Sequence, residues 1–268
     1  MNEFVFIKWG GSLITDKSSP LSAKRETIHL LSTEFAQLIR QNPEKSFILG
    51  HGSGSFGHYV ASQYQTREGV RSPEQWYGFL EVWKAVRLLN SLVIQELQHL
   101  NIPCMAFPPS VTFLAENGKP AKFFNEAMDL ALKSGIIPVV FGDVVFDTII
   151  QGTIFSTEDV FFHMAHHYKP EKILLAGIEE GIFSDFPDNN QRISRITPAN
   201  FEALNKAIRG SVNTDVTGGM LEKVTIMVDL LKVLPSLKIA VFSGSEPGNM
   251  QKAMDHQDIG TWIEQENK

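Results

Sequence analysis

The stretch FIKWGGSLITDK, residues 6–17, decides the fold. An apolar run carries a single lysine, Lys8, and stops at Gly10–Gly11. Residues 3–9 read as a buried strand. Paired glycines at its end permit a sharp turn and close approach by a ligand. Amides freed in such a turn can point at an anion. An unpaired ammonium at Lys8 would be costly in that apolar setting, so it should meet either a carboxylate or a ligand phosphate. Lys17 follows in a more polar context, as a solvated surface lysine or a second phosphate contact. The layout then repeats. SFILG, 46–50, reads as a strand, and HGSGSFGHYVASQY, 51–64, as a glycine-rich turn running into a helix. Gly10, Gly11, Gly50, Gly52, Gly54 and Gly57 serve either as plain tight turns or as a cradle for phosphates. Neither stretch matches the GxxxxGK[ST] loop or a clean GxGxxG fingerprint.

Outward from these turns, apolar spacing near 3.6 predicts a helix over 22–41, with Ser22 as cap. A long helical pattern spans 74–99, with a break expected near Gly78. CMAFPPS, 104–110, ends a strand in a proline turn, and 125–134 is helical. IIPVVFGDVVFD, 136–147, is strand material with a Gly–Asp turn. Ser156 or Thr157 caps a helix to Tyr168, and KILLAG, 172–177, is a buried strand. The segment 179–197 reads as a loop or small hairpin over a site. A glycine turn leads into a helix closed by Pro235. LKIAVFSG, 237–244, is the last central strand, a short helix follows, and GTWI, 260–263, is an edge strand. Alternating strands and helices imply an α/β fold with a mostly parallel sheet covered on both faces. A chain of 268 residues suits one large domain or two small lobes, with 170–180 as the candidate boundary.

Hydrophobic residues make up 43% of the chain, enough for a proper core. No apolar run approaches a membrane span, and the N-terminus lacks a secretion pattern. The single cysteine, Cys104, excludes a disulfide framework and a multi-cysteine zinc site. These features together suggest the cytoplasm. A net charge of −6 argues against broad nucleic-acid binding but allows a local cationic pocket. Lys223, after TGGM at a helix start, joins Lys8 and Lys17 beside glycine turns, a pattern that suits a polyphosphate. His58 either caps or packs its helix or donates to a second phosphate. His163, His166 and His167 lack the HExxH spacing and are expected to pack or face solvent. Asp16, Asp143, Glu158, Asp159 and Asp215 are candidates for a lysine clamp or a metal anchor, and the metal ligands stay unassigned. Trp76, Phe79, Leu80 and Trp83 form an aromatic stripe, either core or the lining of a small apolar slot.

Assembled, these residues resemble the amino-acid-kinase superfamily over almost the full length and, within it, the isopentenyl phosphate kinase branch. KWGGSLITDK resembles the opening K-x-GGS-x-IT-x-K, and HGSGSFGH, 51–58, resembles HGGGSFGH. PVVFGDVVFD, DVTGGMLEKV, SGSEPGNM and GTWI follow in the same order. The resemblance implies an open, usually dimeric αβα sandwich. A phosphorylated-acceptor lobe would span about 1–170 and a nucleotide lobe 171–268, in a single 1–268 domain. It implies ATP with Mg2+, and in-line phosphorylation of isopentenyl phosphate to the diphosphate. Lys8, Lys17, His58, Glu158 and Lys223 would be catalytic. Gly10, Gly11, Ser12, Gly181, Gly218, Gly219 and Lys223 would bind the nucleotide. Gly52, Ser53, Gly54, Gly57, His58, Trp76, Phe79, Trp83, Asp143 and Gly152 would serve the acceptor, a small phosphorylated isoprenoid. No nucleic acid and no membrane insertion are implied.

The chain departs from the family pattern in places. Trp9 replaces a smaller aliphatic residue, and Ser53 the middle glycine of HGGG. Ser156-Thr157-Glu158 stands where the family has SGD, so Glu158 would orient the lysines on a longer arm and Thr157 would narrow the nucleotide path. GIEEGIF, 177–183, differs from TDVDGVY, and Glu222 replaces a small residue. A kinase for another small phosphate or phosphonate such as fosfomycin, and a non-catalytic nucleotide-binding regulator, are the alternatives these departures raise.

Overall fold

The computed structural model describes residues 3–16, 18–185, 188–204 and 218–266, the side chains of 218–220 excepted. The chain begins with β1 (Phe4–Trp9), a short α1 (Gly11–Ile14), α2 (Arg25–Gln41), β2 (Ser46–His51) and α3 (Gly54–Tyr64). A 3₁₀ turn, Thr66–Glu68, leads to α4 (Pro73–His99), β3 (Cys104–Ala106) and α5 (Pro109–Thr112). Next come β4 (Phe113–Glu116), β5 (Lys119–Phe123), α6 (Glu126–Lys133), β6 (Ile137–Phe141), β7 (Asp143–Asp147), β8 (Gln151–Phe155) and α7 (Thr157–Tyr168). The remainder is β9 (Lys172–Gly177), β10 (Ile182–Phe183), β11 (Arg192–Ile193), β12 (Arg195–Ile196), α8 (Gly218–Val233), β13 (Lys238–Ser243), α9 (Asn249–Met254) and β14 (Thr261–Ile263).

Eight of the described strands form one sheet in the order β12-β14-β13-β9-β1-β2-β6-β3. The run from β13 to β3 is parallel, and β14 is antiparallel to β13. Alternation along β1 assigns its residues to two layers. Val5, Ile7 and Trp9 enter a core with Leu31 and Phe35 of α2, Leu89 and Val93 of α4, and Met250 of α9. Phe6 enters the opposite core, with Phe161 of α7, Met128 of α6 and Met227 of α8. Two residues on from Phe6, Lys8 therefore lies on the α7 side. Both layers are covered by helices, as the alternating pattern predicts. Trp9 is fully buried and meets Phe35 edge-on, so its bulk is absorbed by the core.

Several local expectations are corrected. Ser22 is not a helix cap: its carbonyl accepts from Asp16 N–H at 2.9 Å, and α2 starts at Arg25. The helix α4 runs unbroken through Gly78, where a side chain would lie 2.3 Å from Tyr64 Cβ. Gly78 is thus a contact point for the end of α3. The single stretch 136–147 divides at Gly142 into β6, in the main sheet, and β7, in a second sheet of order β5-β4-β7-β8. GTWI does not form the edge, because β12 lies outside β14. Ser156 caps α7 through a capping box with Asp159. The segment 179–197 does hold a small hairpin, β10–β11.

Asp147 holds the second sheet together. Its carboxylate accepts from the N–H groups of Asn117, Gly118, Ile149 and Ile150. Burial opposes ionisation, but these donors prevail and hold its pKa below the ordinary value. Asp147→Ala strands four donors, and we expect a loss of about 3 kcal/mol in urea unfolding. Asp147→Asn should recover part of it, and equal stability of all three proteins would contradict this reading.

Candidate active site

Parallel strands β1, β2, β9 and β13 end on one edge of the sheet, and the glycine turns follow there. Crevices outside such strand ends are the usual ligand positions in open α/β sheets. The turns after β1 and β2 touch backbone to backbone. A Cβ on Gly11 would lie 2.4 Å from Gly54 N, and one on Gly52 would lie 2.6 Å from Gly11 N. Gly54 also has φ +49°, a left-handed conformation that favours glycine. Thr15 fastens the two turns: its hydroxyl donates to Gly11 O at 2.7 Å and accepts from Ser55 N–H at 3.0 Å. Thr15 went unmarked in the sequence, although it stands inside the opening motif.

The charged centre sits beside these turns. Lys8 Nζ lies 3.0 Å from Glu158 Oε1, and Lys223 Nζ lies 3.5 Å from the same oxygen. Lys8 and Glu158 are buried, whereas Lys223 is half-exposed. Burial alone would raise the Glu158 carboxyl, but the two ammonium groups overcome it and hold it at about 2. Burial pulls the Lys8 pKa down, with the Glu158 charge opposing and Lys223 reinforcing the shift. Glu158 reaches this position because Ser156 starts α7 against the ends of β1 and β2. Gly50 makes room for that start, since a side chain there would meet Thr157 Cγ2 and Phe161 at 2.7 Å. Thr157 is buried, and its hydroxyl donates to His51 O at 2.7 Å.

His51 is buried and stacked on Phe141. Its Nδ1 meets Gly52 O at 3.1 Å, and its Nε2 meets the Asn90 side-chain amide at 3.2 Å. Burial lowers its pKa, which favours the neutral ring and a scaffold role for the β2 turn. His58 is exposed on α3. The same helix packs Val60 and Ala61 against Phe79 and Val82 of α4, where Trp76 and Trp83 are partly buried. Trp76 and Phe79 stand 5.1 Å apart, Phe146 covers both, and Arg87 lies over Trp83 at 4.4 Å. Gly152 leaves space for Phe79, which an added Cβ would approach to 3.0 Å. Leu80, read with this stripe, is instead exposed.

The other sequence candidates fall as follows. Gly10 N–H donates to Ala176 O at 2.7 Å, joining the first turn to β9. Ser12 is half-buried, and its carbonyl accepts from Lys24, a cation the sequence reading passed over. Ser53 precedes α3, with Gly57 against its side chain. Gly181 lies against Thr261, close to the Gly260 turn. Gly218 and Gly219 open α8. Asp143 is fully buried rather than facing a crevice, and accepts from Ser110 and Val144 N–H. Burial raises it to about 6. Lys17 and Asp215 lie outside the described residues. Asp16 accepts from Ser18, and among the described residues no three His, Cys, Asp or Glu side chains gather to hold a metal ion.

Residues 3–242 match the model of the Amino acid kinase family, and the chain belongs to that family. It is 32% identical to the isopentenyl phosphate kinase of Methanocaldococcus jannaschii, over 96% of this chain and 97% of that protein. The Methanothermobacter thermautotrophicus isopentenyl phosphate kinase is 27% identical over 97% and 98%. A solved isopentenyl phosphate kinase structure shares the fold, with a TM-score of 0.81 at 24% identity over 97% of this chain and 99% of that one.

The Glu158 charge makes a pH test available. Its folded pKa is depressed from 4.5 to about 2. Between those values the unfolded chain binds more protons, so its stabilisation is complete above 4.5 and is lost as pH falls through about 2. Glu158→Gln should cost about 3 kcal/mol at neutral pH and flatten this part of the urea-midpoint curve. A parental pH profile in the variant would refute the assignment.

Proposed function

We propose that this protein is an ATP-dependent kinase that converts isopentenyl phosphate to isopentenyl diphosphate. The observation that carries the reading is one ionised carboxylate, Glu158, gripping Lys8 and Lys223 beside two abutting glycine turns. Similarity to isopentenyl phosphate kinases over nearly the whole chain supplies the acceptor.

In the proposed reaction an acceptor phosphate oxygen attacks the γ-phosphorus of ATP in line. A new P–O bond forms as the bond to the β-phosphate oxygen breaks, and ADP departs with that electron pair. The attacking oxygen is already anionic, so no strong base is required. Lys8 and Lys223 would offset the charge spread over the transferring group, with Lys17 adding to them. Glu158 would keep both ammonium groups in place. Amides of Gly10, Gly11, Gly52 and Ser53 would line the phosphates, and His58 would hold the phosphate already on the acceptor. Trp76, Phe79 and Trp83 would receive the short hydrocarbon tail. Glu158 is occupied by lysines, which suits magnesium carried on the nucleotide phosphates rather than in a protein cage. When bound there, magnesium would neutralise phosphate charge. Residues before about 170 would serve the acceptor and those after it the nucleotide. A homodimer and a cytoplasmic location complete the proposal.

ADP release measured with isopentenyl phosphate, dimethylallyl phosphate and fosfomycin tests the acceptor. The highest kcat/KM is expected with isopentenyl phosphate. Turnover of fosfomycin alone would move the assignment to that class, and ATP binding without transfer would point to a regulator.

Lys223→Ala should lower kcat about 100-fold while barely changing the melting temperature, because its side chain is half-exposed. His58→Ala should mainly raise KM for the acceptor. A fall in kcat with unchanged KM would remove His58 from that role.

A further inference from the structure

Lys223 stands near the start of α8, beside the buried Val224. Among the described side chains, Val224, Met227, Val228, Leu230 and Leu231 anchor the helix. Glu222, immediately before it, is exposed and reaches across 155 residues of sequence to Arg67, Nη2 to Oε1 at 3.0 Å. Arg67 belongs to the 3₁₀ turn that follows α3, the helix of His58. That turn is fixed: Thr66 is fully buried, and the Arg67 carbonyl accepts from the buried Thr153 hydroxyl at 3.1 Å. Thr153 lies on β8, which leads through Ser156 directly to Glu158.

We infer that Arg67 and Glu222 form a positioning pair that holds Lys223 over the reacting phosphates. The inference rests on the kinase reading above. Neighbouring residues of a helix point about 100° apart, so Glu222 and Lys223 reach different neighbours from one turn. Two pairs of opposite polarity then set where the Lys223 side chain is held: Glu222 with Arg67, and Lys223 with Glu158. Glu158 lies on α7, and the Arg67 carbonyl is hydrogen-bonded to Thr153 of β8, so both anchors are tied to the β8–α7 segment. Side-chain exposures of 58% and 56% keep the Arg67–Glu222 pair open to solvent and salt. It acts on geometry, with a small effect on the fold.

The test compares Arg67→Glu, Glu222→Arg and the double exchange with the parent, all checked for equal melting temperature. Each single reversal is expected to lower kcat about fivefold with little change in acceptor KM, and the double exchange to recover most of the loss. Lys223 acetylation by acetic anhydride, followed by mass spectrometry without substrates, should quicken about threefold in the singles and return in the double. Parental kcat and labelling in the singles, or no recovery in the double, would overturn the inference. If the parent fails to phosphorylate isopentenyl phosphate, the kinase reading falls and the labelling alone decides the pair.

Discussion

Leaving the Lys8 ammonium unpaired in the sheet would cost several kcal/mol, so its counter-charge constrains everything around it. Glu158 supplies that charge from the first turn of α7, at 3.0 Å. For the carboxylate to arrive there, α7 must start tight against β2, which requires Gly50 beneath it and Ser156 as its cap. The parallel strands bring the two glycine turns to the same edge. One buried ion pair thus ties together strand register, helix start and turn composition. The pair adds little net stability over an apolar substitute, because desolvation opposes the Coulomb gain. Its value is that a cation is fixed at the strand ends.

Backbone contact completes the centre. Gly11, Gly52 and Gly54 lie so close that a methyl on any of them would meet main-chain atoms within 2.6 Å. Side chains are excluded from that surface, and Thr15 locks the turns from below. Ser53 keeps this contact intact, since its side chain turns toward Gly57. The departure from an all-glycine turn therefore falls where the backbone approach does not need glycine.

Short-range signals made the central strands legible. β1, β2, β9 and β13 have apolar centres, broken in β1 only by Lys8, and glycines mark their ends. The second sheet was hidden for physical reasons. β5 is short, contains Pro120 and is mostly exposed, while β4 carries a register shift between Leu114 and Ala115. Strands of that kind are defined by their partners, and Asp147 gathers the connecting loops through four amides that no periodicity announces. In the site, Lys8 was recognisable because a lone lysine in an apolar strand needs a partner. Its partner was suggested by family resemblance, since Glu158 by itself looks like an ordinary helix-start acid. Arg67 and Glu222 carry no local pattern at all. Asp143 shows the reverse case: a Gly–Asp turn looks open in sequence, yet both carboxylate oxygens accept from amides in the interior.

Charges in the centre differ in how far they are desolvated, and that difference has a mechanistic consequence. Lys8 and Glu158 are both buried, so their ion pair is largely shielded from bulk water and salt. Lys223, Arg67, Glu222 and His58 are half-exposed or exposed. Exposed pairs are worth about 0–1 kcal/mol, so they orient a side chain more than they stabilise the fold. A fully buried set would bind one product tightly and release it slowly. A fully exposed set would surrender its directionality to solvent and salt. One carboxylate thus joins a buried cation on a strand to a half-exposed one on a helix turn.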